Sequence, residues 1–344
     1  MENSVSRILI ETTVRQTLKG IQEDPERSIR NLVDMALQFS EGRFQSRFFA
    51  TAHAWLKNDK SAYYNLIPDA VNHIETEHLV RLGMNIGYNS CTWGARHIRA
   101  NERRLGFNIP WAVFLQMEEG KERCDLGRYH WVIQQGEELG IYSWALFATE
   151  TPSSVLPVAK TYSDSAFFLF CPSQAVTPDF TEKLSAVCNV MPVISIDRSP
   201  RAACAVLREA KLPYSVSYCY SSENLDPITS GELFCAAQQL NPLFTVLIPR
   251  TDCRPDAQRA AYKAAVETRA QQQFQTIPWE LYGDTKSLDT IISDDSCCAL
   301  FDQNGTLHLP GGEEGGDPQY GNLFHDGLAG VFSKAFPKVA VARS

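Results

Sequence analysis

From Ile109 onward, short apolar runs alternate with longer amphipathic segments, and this alternation restricts what the chain can fold into more than any other feature. The runs Trp111 to Leu115, Ile141 to Phe147, Ala166 to Cys171, Val190 to Ile196, Tyr214 to Tyr220 and Phe244 to Ile248 predict strands. Leu126 to Leu139, Ser153 to Tyr162, Thr177 to Val187, Pro200 to Ala210, Ser230 to Leu240 and Asp256 to Phe274 carry apolar residues at helical spacing. A strand that is apolar on both faces must be covered on both. Six such strand-helix units in a row therefore predict a parallel α/β sheet flanked by helices, either curled into a barrel or open and doubly wound. Periodicity does not choose between the two.

The residues on either side read differently. Up to about residue 107 the spacing is helical: Ile8, Leu9, Val14, Leu18 and Ile21, then Ile29, Leu32, Val33, Ala36 and Leu37. Asp24 is placed to cap the second helix, with Pro25 in its first turn. Helices are also predicted around Phe48 to Leu56 and Val71 to Leu82, and the glycines from Gly83 to Gly94 loosen the pattern. Beyond Thr276, Ala299 to Phe301 and Thr306 to Leu309 flank Asn304-Gly305, a hairpin signal. A glycine-rich acidic loop follows, read as a surface loop, and Leu323 to Phe336 predicts a closing helix.

Composition removes several function classes. A net charge of −8 speaks against a nucleic-acid partner, which would need a basic face. No stretch has the length and apolarity of a bilayer span or of a signal-peptide core, so a cytoplasmic protein without a membrane partner is expected. The ten cysteines hold no CxxC and no CxxxCxxC: eight are scattered singly, and Cys297 and Cys298 are adjacent. Several lie in apolar runs, such as Tyr218-Cys219-Tyr220, where a reduced thiol behaves as a small hydrophobe. The seven histidines show no HxH or HExxH, and His73 with Glu77 reads as a solvated helix pair, so no metal site is expected. Neither GxSxG nor GxxxxGK[ST] occurs, and no catalytic residue is assigned.

The strings NIPWAVFL at the first strand, EELGIY at the second, MPVISI at the fourth, LPYSVSYCYSSEN at the fifth and ITSGE at the next helix run in one order. With EDPERSIRNLVDMA near the start and DQNGTLHL near the end, the chain resembles radical-SAM proteins that carry a helical N-terminal extension and a SPASM-type C-terminal segment. The resemblance implies a partial (β/α)6 TIM-like barrel at 108–275, an α-helical extension at 1–107 and a small hairpin-plus-helix segment at 276–344. In that family, three cysteines of a CxxxCxxC loop after the first strand hold a 4Fe-4S cluster. The iron left free binds S-adenosylmethionine and cleaves it to a radical.

This sequence departs from that pattern at the residues the chemistry needs. Where the loop should stand are Gln116, Met117, Glu118, Glu119, Gly120, Lys121, Glu122, Arg123, Cys124 and Asp125, with one cysteine instead of three. The family's glycine-rich turn after the second strand is Ala148, Thr149, Glu150, Thr151 here, of which only Glu150 matches. Pro310, Gly311 and Gly312 follow the hairpin where clustered relatives have a cysteine. The cluster and S-adenosylmethionine are therefore not predicted as cofactors. Polar residues at the C-terminal ends of barrel strands face the site. Glu150, Ser195, Asp197, Tyr218, Tyr220, Ser222, Glu223, Asn224, Arg250 and Trp279 are accordingly predicted to bind a ligand. A plain turn at Ser221 to Asn224 and a solvated Arg250 is the competing reading. The functional expectation is a non-catalytic pseudoenzyme that binds a small molecule or a protein partner, such as an active relative. Two alternatives stay open: non-radical chemistry at the mouth, and an atypical cluster using Cys124, Cys297 or Cys298.

Overall fold

The computed structural model describes residues 4–38, 43–117, 126–293, 295–309 and 316–338. Glu118 to Asp125, which contain Cys124, and Pro310 to Gly315 of the glycine-rich loop lie outside the described residues.

Before the first strand come α1 (Ser4–Glu23), α2 (Pro25–Gln38), α3 (Arg43–Trp55), α4 (Tyr63–His73), α5 (Thr76–Gly83), a π-helix (Met84–Gly94) and α6 (Ala95–Leu105). The expected cap is present, with the Asp24 carboxylate accepting the Arg27 amide at 3.3 Å. The single helix expected from Val71 to Leu82 is two. Ile74 and Glu75 are extended, and the Glu75 amide bonds to the Lys211 carbonyl at 2.9 Å, so the break lets the chain dock. The stretch read as loosened is helical without interruption, but wound as a π-helix.

The strands are β1 (Ala112–Gln116), β2 (Ser143–Phe147), β3 (Ala166–Pro172), β4 (Val190–Ser195), β5 (Ser215–Tyr220), β6 (Phe244–Pro249), β7 (Ile277–Glu280), β8 (Ala299–Phe301) and β9 (Leu307–His308). The helices among and after them are α7 (Leu126–Leu139), α8 (Leu156–Thr161), α9 (Pro178–Ser185), α10 (Pro200–Glu209), α11 (Asp226–Thr229), α12 (Glu232–Ala237), α13 (Pro255–Gln271), α14 (Leu281–Ser293) and α15 (Leu323–Ala335). One sheet of nine strands runs β7-β6-β5-β4-β3-β2-β1-β8-β9, parallel except for the antiparallel β8–β9 hairpin. The strands of the tail extend this sheet at both ends, β7 beside β6 and β8 beside β1.

Alternation along each strand sorts side chains between two cores. Val113, Leu115, Trp144, Leu146, Phe167, Leu169, Ile194 and Val216 point outward into the main core under the helices. Phe114, Ala145, Phe170, Val193 and Val246 point inward and pack with Leu281 and Cys298. The inward set settles the choice that periodicity left open. In a flat sheet β1 and β7 would stand roughly 29 Å apart, at about 4.8 Å per strand. Yet the ring of Phe114 on β1 lies 6.1 Å from that of Tyr282, two residues past β7. The sheet is curled into a partial barrel with its own interior core.

The N-terminal helices cover the end of the barrel where the strands begin. Asn85 donates to the Ser163 and Ser165 carbonyls at 2.9 and 2.8 Å, and Asn89 to that of Asp164 at 2.8 Å. Arg208 of α10 holds Asp69 of α4 through two bonds, 3.0 and 2.7 Å. The strand C-termini form the opposite end, the mouth, which the N-terminal helices do not cover. α14 leaves the mouth end of β7 and finishes by the start of β1, where the Trp111 amide donates to Asp289 at 2.8 Å and Ser293 donates to the Ile109 carbonyl at 2.9 Å. It therefore spans the side that the curl leaves open.

The helical layer meets the barrel closely where Gly94 faces Gly140. A Cβ on Gly140, whose φ is +103°, would lie 2.8 Å from the Gly94 oxygen, His97 Cβ and the Ile98 nitrogen. We expect Gly140→Ala to destabilise the protein by about 3 kcal/mol in urea unfolding, from strain and overpacking together. Gly83→Ala, with open space around the new methyl, should be neutral or stabilising by roughly 0.5–1 kcal/mol.

Candidate functional site

The concave mouth is assembled from the last inward-facing positions of the strands. Ser195 of β4 pairs with Ser217 of β5, which pairs with Val246 of β6, so the three side chains share the inner face. Two residues on along the same face come Asp197, Cys219 and, beside Cys219, Ile248. Ser195 donates to Asp197 at 2.7 Å. Asp197 and Arg250 both act electrostatically on Cys219, Asp197 raising its pKa and Arg250 lowering it, which places the three groups together. Although Cys219 is exposed at the surface, desolvation by the surrounding rim is the largest influence on its thiol and the net effect is upward, so the thiol stays protonated at neutral pH and is no ready nucleophile. Beneath the rim the floor is apolar: Phe147 and Phe170 stack at 4.5 Å with planes 15° apart, and Phe168, Ile248, Trp279 and Tyr282 are half-buried around them.

Ser195, Asp197, Arg250 and Trp279 therefore lie on the concave side. Tyr218 and Tyr220 do not, and the expectation that they line the mouth is corrected. With Ser215 and Ser217 inward, strand alternation turns Tyr218 and Tyr220 outward toward the helices. Tyr220 is fully buried there and donates to Glu280 at 2.9 Å. Ser221 to Asn224 form a turn held by their own side chains. The Asn224 amide oxygen accepts the Ser221 amide at 2.5 Å, its nitrogen donates to the Tyr218 hydroxyl at 3.1 Å, and the Glu223 amide donates to Ser221 at 3.2 Å. Ser222 accepts the Arg254 amide at 3.1 Å. The turn reading describes this segment, although the exposed Glu223 carboxylate remains on the surface. Arg250 keeps 62% of its side chain exposed and lies 3.4 Å from Asp252. Glu150 is exposed in the turn after β2. Trp279 meets Phe244 edge-on at 6.4 Å, with the Arg269 guanidinium 5.7 Å from its ring. Arg269 also donates to the Pro278 carbonyl at 2.8 Å and pairs with Asp284 at 2.7 Å.

Cys219 is the residue that sequence reasoning missed. Its two tyrosine neighbours made it read as core, but it is exposed on the opposite face from them. The available signal was parity with Ser215 and Ser217.

A four-iron cluster needs three converging thiolates, and the described residues do not fit it. Cys171 points outward into the main core, Cys219 lies on the concave side, and Cys298 packs inside the barrel. Cys297 lies near Asp289 and Glu102, away from that interior. The adjacent pair thus splits between two environments, and burial pushes both thiols well above their ordinary range. Among the described residues, no three of His, Cys, Asp and Glu come together in a way that could hold a metal ion. Nor is any described helix long and apolar enough to cross a membrane.

No protein-family model matches the chain, and no curated protein matches it. Among solved structures it is similar to SuiB of Streptococcus suis. In complex with the precursor peptide SuiA, the likeness has a TM-score of 0.49 at 11% identity and covers 69% of this chain and 67% of that one. Bound to S-adenosylmethionine, SuiB gives a TM-score of 0.49 at 12% identity over 69% and 66% of the two chains. SuiB alone gives 0.48 at 12% over 69% and 68%. The chain spans about two thirds of SuiB's length. The partial-barrel assignment stands on strand order, register and the inward core, independently of this likeness.

The rim electrostatics give a prediction with a sign. Asp197→Asn should shift the pH profile of Cys219 alkylation toward lower pH, and Arg250→Gln should shift it toward higher pH. Peptide-resolved iodoacetamide labelling measures both, and shifts of the same sign would show that the three groups do not interact. Cys297 and Cys298, buried, should label only on unfolding.

Proposed function

We propose that this chain is a non-catalytic binding protein built on a radical-SAM-type partial barrel, taking a small polar molecule at the barrel mouth. One observation carries the reading: polar groups of both charge signs lie at the rim over an aromatic floor, while the thiols among the described residues lie apart. Ligand sites commonly pair an apolar bed with a few orienting polar groups. Here Asp197 and Arg250 would orient the ligand, Ser195 would fix the Asp197 carboxylate, and Phe147, Ile248 and Trp279 would contact its apolar part. The absence of a CxxxCxxC string supports the non-catalytic part, because the family's radical chemistry starts at an iron held by those thiolates. Glu150, Ser222, Glu223 and Asn224 would lie at the edge of such a site, not at its centre.

The test has two arms. After anaerobic reconstitution with iron and sulfide, the protein should show no visible cluster absorption and form no 5′-deoxyadenosine from S-adenosylmethionine. Appearance of either would end the non-catalytic reading. In a thermal-shift screen of small polar metabolites, hits should stabilise the native protein but not Asp197→Ala or Arg250→Ala. Each of these variants should keep the parent melting temperature without ligand, since both side chains are exposed. Hits that survive both substitutions would place binding elsewhere.

A further inference from the structure

The helix that closes the open side of the barrel is held by two carboxyl groups with no solvent exposure, Glu280 at its start and Asp289 in its third turn. The buried acids nearby are paired: Asp284 has Arg269 at 2.7 Å, and Glu102 has Lys338 at 3.0 Å. Neither Glu280 nor Asp289 bonds to a cation among the described residues. Glu280 accepts the Tyr220 hydroxyl at 2.9 Å and the Gly283 amide at 2.5 Å, capping α14. Asp289 accepts the Trp111 amide at 2.8 Å through one oxygen and has the Cys297 amide close by, while its other oxygen, buried, completes no hydrogen bond of ordinary geometry. A buried carboxylate in that state is costly, whereas the neutral acid is tolerated.

We propose that α14 is a proton-controlled latch, closed while Glu280 and Asp289 are protonated and released when they ionise. The two contacts sit at the two ends of the crossing. Glu280, the last residue of β7, links the first turn of the helix to β5 by accepting both the Gly283 amide and the Tyr220 hydroxyl, and Asp289 ties the helix to the segment entering β1. On ionisation each carboxyl loses its proton to solvent and gains a charge that the closed position can neither pair nor hydrate. In the open position water hydrates it.

The surroundings favour the neutral acids. Around Glu280 stand Tyr220 from β5, Cys253 after β6, Tyr262 from α13, Cys298 before β8, and Tyr282 and Asp284 from α14. Around Asp289 stand Glu102 from α6, Asp295, Cys297 and Cys298 before β8, and Lys286 from its own helix acting on Cys298. Burial first, and the neighbouring acids after it, push both carboxyls up to about 7, against the opposing pull of backbone amides.

The sign follows. Each folded-state pKa is raised, so the closed state holds protons that the open state has already lost. Closure is strongest below the ordinary carboxylate range, weakens as pH rises from about 4 to about 7, and levels off above that. The latch is independent of whether the mouth binds a ligand.

Hydrogen-exchange mass spectrometry of the whole chain, corrected for intrinsic exchange, tests it. Protection of the 281–293 amides should fall on the order of tenfold per pH unit for each carboxyl between about pH 5 and about pH 7. The β3 and β4 amides should hold steady over the same range. Asp289→Asn and Glu280→Gln should each reduce the slope, and the double variant should abolish it. Should the double variant not fold, the single variants carry the comparison. A flat profile in the parent protein, an unchanged slope in the variants, or β3 and β4 falling in step with α14 would each overturn the latch.

Discussion

Packing of Phe114 against Tyr282 across the inside of the curl is the constraint on which the rest of the structure depends. A parallel sheet with apolar residues on both faces has to bury its second face. This chain does so by bending until β1 and the end of β7 share a core. Large aromatic side chains suit that task, because each buries a wide area and rings can meet edge-on across a gap. Once the sheet is bent, the strand ends converge at one mouth, the strand starts form a base for the N-terminal helices, and α14 has one side to close. The polar groups of the rim lie together only as a result of this geometry.

Much of the architecture was legible because it is written in local patterns. The predicted strand runs fall on β1 to β6, α7 falls at Leu126–Leu139 as predicted, and Asp24, Pro25 and the Asn304-Gly305 turn act as their residue types imply. Facing was much harder to read. When both sides of a strand are apolar, nothing local says which parity points inward, so Tyr218 and Tyr220 were placed at the mouth and Cys219 in the core, the reverse of the structure. The π-helix was invisible for a related reason. It carries Asn85 and Asn89 to the carbonyls ahead of β3, and such contacts are tertiary information.

Glu280 and Asp289 show another limit. Nothing in the local sequence marks Asp289, and Glu280 follows Trp279 as one more polar residue at the end of a short apolar run. Only the position of α14 inside the barrel's open side strips both of water. Fold and site are thus legible to different degrees. Apolar periodicity belongs to the chain, whereas the state of a polar group belongs to its surroundings, and a barrel of this kind can host many chemistries or none.

A barrel that stops short of closure keeps two free rims of backbone, and unpaired strand edges invite other chains to pair with them. Here the outermost strands are short, β7 with four residues and β9 with two. In β7, Pro278 offers no N–H and its carbonyl is already taken by Arg269. The same guanidinium that neutralises Asp284 thereby blunts a template for edge-to-edge growth. Protection of this edge is thus tied to one arginine near the end of α13.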